Sequence, residues 1–152
     1  MKAHFMAVAV LATVQVFLSS MTAYSKGLSP VELRCEYRAD PRGIDEVHPR
    51  LSWRVESNER GQKQKAFRII VASRAGLLSQ NKGDLWDSGK IASDDTVNIV
   101  YAGKSPGSRQ DCFWKVCVWD VHGEPEWSRD AEFTMGLLNS SDWKSEYITF
   151  RD

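Results

Sequence analysis

Cys112-Phe-Trp-Lys-Val-Cys-Val-Trp-Asp120 is the stretch whose reading decides the fold. With a period of two, Trp114, Val116 and Val118 face one way, and Phe113, Lys115, Cys117 and Trp119 face the other. A strand with one wet face alternates apolar and polar residues. This one is apolar almost throughout, so it reads as a central strand with cover on both sides.

The flanking sequence repeats the period-two theme in shorter pieces. Val31–Tyr37 is a first strand candidate, followed by a turn at Asp40-Pro41-Arg42-Gly43, where Pro presets φ and Gly accepts a positive one. Leu51, Trp53 and Val55 alternate with Ser52, Arg54 and Glu56 as a half-buried strand. The polar run Asn58–Gln64 holds Gly61 and reads as a hairpin loop leading to an apolar face of Phe67, Ile69 and Val71. Ala75–Gln80 has room for one helical turn. Leu85–Ser88 and Val97–Tyr101 are short strand candidates, Lys104–Gln110 is a loop, and Val121–Glu126 is a turn. Ala131, Phe133 and Met135 form the last strand. About seven short strands, with turn signals every 8–12 residues or so, make an all-β, immunoglobulin-like sandwich.

That sandwich accounts for residues 28–138 of the 152. Residues 1–25 carry a basic Lys2, the apolar run Met6–Leu18, and small residues at Ala23 and Ser25. They read as a signal peptide cut before Lys26, too short in its apolar part for a comfortable membrane span of about 20 residues. Leu137–Ser141 reads as a linker, and residues 142–152 as the truncated start of a second β-sandwich domain. A secreted or periplasmic location follows from the leader.

Charge and cysteine content exclude several functions. Twenty Lys+Arg balance twenty Asp+Glu, which leaves no basic footprint for nucleic acid. Cys112 and Cys117 lie on one strand roughly 16 Å apart, beyond the 7 Å or so a disulfide spans. Cys35 could pair with either, or all three could be buried thiols. There is no C-x-x-C, and His48 and His122 fall in turns, so no metal or other cofactor is expected.

Acidic residues offer weak catalytic candidates. Asp84 and Asp87 flank Trp86, Asp94 and Asp95 adjoin, and Asp120 ends the strong strand, all in ordinary turn contexts. No G-x-S-x-G and no phosphate-loop pattern occurs, so no catalytic residue is assigned. The six tryptophans are more informative. Trp53 and Trp114 suit a core, whereas Trp119, Trp127 and Trp143 are candidate carbohydrate-binding residues, since sugar faces stack on aromatic rings.

The ordered set of segments resembles the N-terminal region of bacterial α-L-rhamnosidases of glycoside hydrolase family 78. The likeness begins with Leu28-Ser-Pro-Val-Glu-Leu-Arg-Cys-Glu-Tyr37, Pro41-Arg-Gly-Ile44 and Pro49-Arg-Leu-Ser-Trp53. It continues through Gln64, Ala66-Phe-Arg-Ile69, Val71-Ala-Ser73, Leu85-Trp-Asp-Ser-Gly-Lys90 and Val100-Tyr-Ala-Gly103. Phe113-Trp-Lys-Val116, Val118-Trp-Asp120, Gly123, Trp127-Ser128, Phe133-Thr-Met-Gly-Leu137 and Asp142-Trp143 complete it. The resemblance implies a fibronectin type III-like sandwich at the start of a secreted multidomain enzyme that hydrolyses terminal α-L-rhamnose. The catalytic carboxylates would lie on a later barrel absent from this chain. The partners it implies are the missing downstream domains of the same enzyme, with rhamnosylated glycans as ligands. The alternative is a free-standing secreted module that binds carbohydrate or protein. One departure stands out: related sandwiches place a Tyr near the start of the strong strand, bonded by its hydroxyl to the backbone, where this chain has Cys112 and Phe113.

Overall fold

The computed structural model describes residues 27–144. Its elements run β1 (Ser29–Cys35), β2 (Arg42–Ile44), β3 (Arg50–Glu56), β4 (Ala66–Ala72), α1 (Ala75–Leu78), β5 (Trp86–Asp87), β6 (Ile99–Val100), β7 (Asp111–Trp119), β8 (Pro125–Trp127) and β9 (Ala131–Met135). A 3₁₀ turn at Ser140–Asp142 follows. The proposed leader, and Tyr147, Ile148 and Phe150 of the proposed second domain, lie outside the described residues.

The strands form two sheets. One has the order β1-β3-β6 and the other β2-β9-β7-β4-β5, with β8 also paired to β7. This is an all-β sandwich of the immunoglobulin type, as the alternating pattern predicts. Strand β7 is central. It pairs antiparallel with β4 from Ala66↔Trp119 to Ala72↔Phe113, and its other edge is shared between β9 and β8.

The cover on both sides of β7 comes from two sources. Its inward residues Trp114, Val116 and Val118 join Leu51, Trp53, Phe67, Ile69, Val71 and Phe133 in the main core between the sheets. Trp53 and Phe67 meet edge to face, with centroids 5.2 Å apart. On the outer face, α1 seats Leu78 on Ile70 and Ala72, and Leu77, Phe113 and Trp127 pack around them. The helical turn at Ala75 thus shields part of an otherwise exposed apolar sheet face.

Several local expectations change. Asn58–Gln64 is not a hairpin: β3 and β4 lie in opposite sheets, and the segment carries the chain across the sandwich. The reason is Gln64, which is buried and fixes the crossing. Its Oε1 accepts from Trp53 Nε1 at 2.9 Å, and its Nε2 donates to the carbonyls of Ser93 and Asp95 at 3.2 and 2.8 Å. The Asp40–Gly43 turn runs directly into β2, which pairs parallel with β9. The Val121–Glu126 turn is shorter than expected, because Asp120 Oδ1 accepts from the amides of His122 and Glu124 and tightens it. Pro125 then opens β8, a first-strand position where its missing N–H does no harm. Strand β1 ends earlier than expected, at Cys35, because Glu36 and Tyr37 both have positive φ. It also carries a register break between Val31 and Arg34, with Glu32 at φ 49°.

Cys112, at the position where related sandwiches place a tyrosine, is fully buried. A backbone-tethered tyrosine exists elsewhere: Tyr101, just after β6, is also fully buried. Its hydroxyl donates to the Lys104 carbonyl at 2.6 Å, and its amide donates to the Pro49 carbonyl at 3.0 Å. Trp86 packs edge-on against its ring, at 5.3 Å. Gly103 permits this closure, since a Cβ there would sit 2.6 Å from the Tyr101 hydroxyl and 2.5 Å from the Leu85 carbonyl oxygen.

Replacing Gln64 by Leu should lower the unfolding free energy by about 2–4 kcal/mol, since it leaves Trp53 Nε1 and two carbonyls unpaired. Tyr101→Phe, which removes one hydroxyl from a loop, should cost only about 1 kcal/mol. Urea unfolding of the chain measures both, and a Gln64→Leu variant as stable as the parent would remove the crossing role assigned to that side chain.

Candidate functional site

The acidic residues singled out from sequence are engaged in local structure. Asp84 accepts from both the amide and the hydroxyl of Ser73, at 2.8 and 2.7 Å. Burial opposes its ionisation, yet the Ser73 hydrogen bonds outweigh it and hold the carboxyl below its ordinary value. Asp87 receives two hydrogen bonds from Arg68, one of them 2.8 Å from Nε, and this guanidinium lowers its pKa. Asp95 joins Ser93 in a local turn, and Asp120 closes the β7–β8 hairpin. On the small sheet, Arg50 clasps Glu36 with Nε and Nη2, lowering that carboxyl as well, and stacks over the Tyr37 ring at 4.9 Å.

Each of these carboxylates is taken up by a hydrogen-bond partner within the sandwich. His48 donates its backbone amide to Glu46. Among the described residues, no three His, Cys, Asp or Glu side chains converge as a metal site. The three cysteines are free and buried. Burial pushes Cys35 and Cys112 up to about 12 and Cys117 to about 11. Such thiols pack as small hydrophobes and stay protonated at neutral pH.

The candidate carbohydrate-binding tryptophans do not share one surface. Trp119 and Trp127 come together on the outer face of the larger sheet, where Trp127 pairs with Cys117 and Trp119 with Pro125. Both are half-buried. Lys90 Nζ lies 4.3 Å from the Trp119 ring centroid, and Lys115 Nζ lies 4.7 Å from that of Trp127. Trp143, 68% exposed, sits beyond the other end of β7, because Asp142 beside it bonds Ser108 in the loop leading into that strand. The lysine stacking was not read from the sequence, although Lys115 stands among apolar residues on the strong strand. It is buried, and its ammonium finds the Trp127 face that the pleat places beside it.

A groove of about 510 Å³ runs between the β1 edge and the β8–β9 edge. Glu126, Trp127, Arg129 and Asp130 line one wall, and Pro30 and Glu32 lie on the other. It is a shallow, mixed-charge seam between the margins of two sheets.

Two sheets ordered β1-β3-β6 and β2-β9-β7-β4-β5 define a β-sandwich domain of the immunoglobulin type. The chain belongs to the family of Rha78A-like N-terminal immunoglobulin domains, whose model matches residues 30–139. Its relatives include an α-L-rhamnosidase of Streptomyces avermitilis, 44% identical over 115 residues, which cover 75% of this chain and 11% of the relative. An α-L-rhamnosidase of Formosa agariphila is 42% identical over 110 residues, 72% of this chain and 12% of the relative. Among solved structures, the α-L-rhamnosidase from Dictyoglumus thermophilum aligns with a TM-score of 0.75 at 37% identity, covering 82% of this chain and 14% of that one. The Streptomyces avermitilis enzyme complexed with L-rhamnose aligns with a TM-score of 0.73 at 41% identity, covering 78% and 11%. The chain therefore spans only about an eighth of the length of the relatives it matches. No helix among the described residues is long and apolar enough to cross a membrane.

Two pH responses follow. Glu36 and Asp87 have lowered folded pKa values, so the stability they contribute is present above about pH 4 and is lost as the pH falls through those values. The thiols have raised ones, so their contribution is complete below an ordinary thiol value of 9.0 and is lost as the pH rises toward about 12. Urea midpoints should be level between about pH 5 and 8 and fall on both sides. In the native state the three thiols should resist a disulfide reagent at pH 8 and react fully in guanidinium. Rapid native labelling would show that they are not enclosed.

Proposed function

We propose that this chain is the N-terminal, non-catalytic accessory module of an exported α-L-rhamnosidase, and that rhamnoside hydrolysis belongs to domains that follow it. The observation that carries this reading is the coverage: relatives named as α-L-rhamnosidases match the chain over 11% and 12% of their own length. In support, Asp84, Asp87 and Asp120 close turns and an ion pair within the sandwich. Residues 1–25 act as the export signal and are removed before Lys26, giving a secreted or periplasmic location. Residues 28–138 are the module, and residues 142–152 open the next β-sandwich domain. The partners of the module are the downstream domains of the same enzyme.

A second reading is a sugar-binding module that works by itself. It is favoured by Trp119 and Trp127 lying on one sheet face, both partly exposed. Rhamnosylated glycans would be the ligands, with Trp143 as a more remote contact.

An immunoblot of the native exported product, with an antibody to residues 26–152, should give a band several times larger than this chain. Purified 26–152 should release no rhamnose from an aryl rhamnoside. A native band at the size of 26–152, together with a tryptophan fluorescence change on titration with millimolar rhamnosylated glycan, would replace the first reading with the second.

A further inference from the structure

The segment after β9 reads as a linker in sequence, but it is tied to the body of the domain at Gly136, Leu138 and Asp142. Gly136 donates its amide to the Ile44 carbonyl at 2.7 Å and accepts from the Arg109 amide at 3.0 Å. A Cβ on Gly136 would lie 3.1 Å from the Gly43 carbonyl oxygen, so the chain passes close against β2. Leu138 packs on the main core, and its amide donates to Ser108 Oγ at 3.0 Å. The Ser108 hydroxyl donates in turn to Asp142 Oδ2, which also accepts from the Asn139 amide at 3.0 Å and from Asn139 Nδ2 at 3.2 Å. Asn139 and Asp142 form a reciprocal capping box around the 3₁₀ turn. The hydrogen bond from Ser108 holds the Asp142 carboxyl below its ordinary value, so it is ionised at neutral pH. Directly after this knot stands Trp143, 68% exposed and the most exposed large apolar side chain among the described residues.

A flexible connector would be polar, free of tertiary bonds and rich in Gly or Ser. Gly136–Asp142 instead makes hydrogen bonds to two separate parts of the sandwich, the β2 end and the loop before β7. A tryptophan on a fixed stub is a large contact surface with little side-chain freedom to lose on docking.

We propose that Gly136–Asp142 is a rigid joint that fixes the direction in which the chain leaves the sandwich, and that Trp143, at the opening of the next domain, is the anchor that seats this stub in the body of that domain in the same polypeptide. This rests on the accessory-module reading for its occupant: the relatives are several times longer than the matched region, and the family model ends at residue 139, one turn before the anchor.

Two measurements test the joint and the anchor separately. In hydrogen exchange on the 152-residue chain, the amides of Leu138, Asn139, Asp142 and Trp143 should be protected. A Ser108→Ala/Asp142→Asn variant should exchange them roughly tenfold faster or more, with β7 amides unchanged. Unprotected amides in the parent chain overturn the joint. For the anchor, the full-length Streptomyces avermitilis α-L-rhamnosidase would carry residues 28–144 of this chain in place of its matching domain. Trp143, read by difference against Trp143→Phe, should be several-fold less accessible to acrylamide in this chimera than in the 152-residue chain. An active chimera with Trp143 fully quenched overturns the docking role and leaves the module reading intact. A chimera that neither folds nor hydrolyses aryl rhamnoside overturns the module reading, while the exchange experiment still decides the joint.

Discussion

Strand β7 pairs along its length with β4 on one edge and with β9 and β8 in succession on the other, so its backbone has no free margin for most of its run. Both its faces are covered, one by the opposing sheet and the other by α1 and the surrounding aromatic and lysine side chains. The two sheets could not face each other without it, because Trp114, Val116 and Val118 are the central residues of the main core. Every other element is placed by reference to this strand. The groove beside β1 is the seam left where the sheet margins diverge, and Trp127 of β8 lines it.

The polar side chains show how the domain spends its charge. Arginine–carboxylate pairs such as Arg50–Glu36 and Arg68–Asp87 knit the outer faces of the two sheets, and aspartates close the hairpins. Pairs this exposed contribute little each. Their main effect is to fix rotamers, so that the sandwich presents a defined surface to whatever packs on it. An accessory domain needs such a surface more than it needs a cleft.

The strand pattern was legible because a period of two survives in β3, β4, β7 and β9 whatever their partners. The near-continuous apolarity of β7 even predicted its double cover. What could not be read was which strands share a sheet. Asn58–Gln64 spells a loop equally well for a hairpin and for a crossing between sheets, and only the burial of Gln64 separates the two. Short strands such as β2 and β8 were hidden inside turn signals, because Pro and Gly mark a bend without saying how soon pairing resumes. At the candidate site, the sequence named the aromatic residues but not their stacking partners, since Lys90 and Trp119 are far apart in the chain. Asn139-Ser-Ser-Asp142 has the spacing of a capping box, which is a mark of order where composition says linker.

Strand β1 lies at the margin of its sheet, and its register breaks between Val31 and Arg34. Glu32 sits in the break and bonds Arg54 of the neighbouring strand. A second copy of the molecule seeking to add itself along that margin would find its ladder interrupted after two or three residues, with a charged side chain at the gap. The irregularity in β1 therefore acts as a guard against polymerisation. It breaks the row of free backbone groups along which a further strand could add to that open margin.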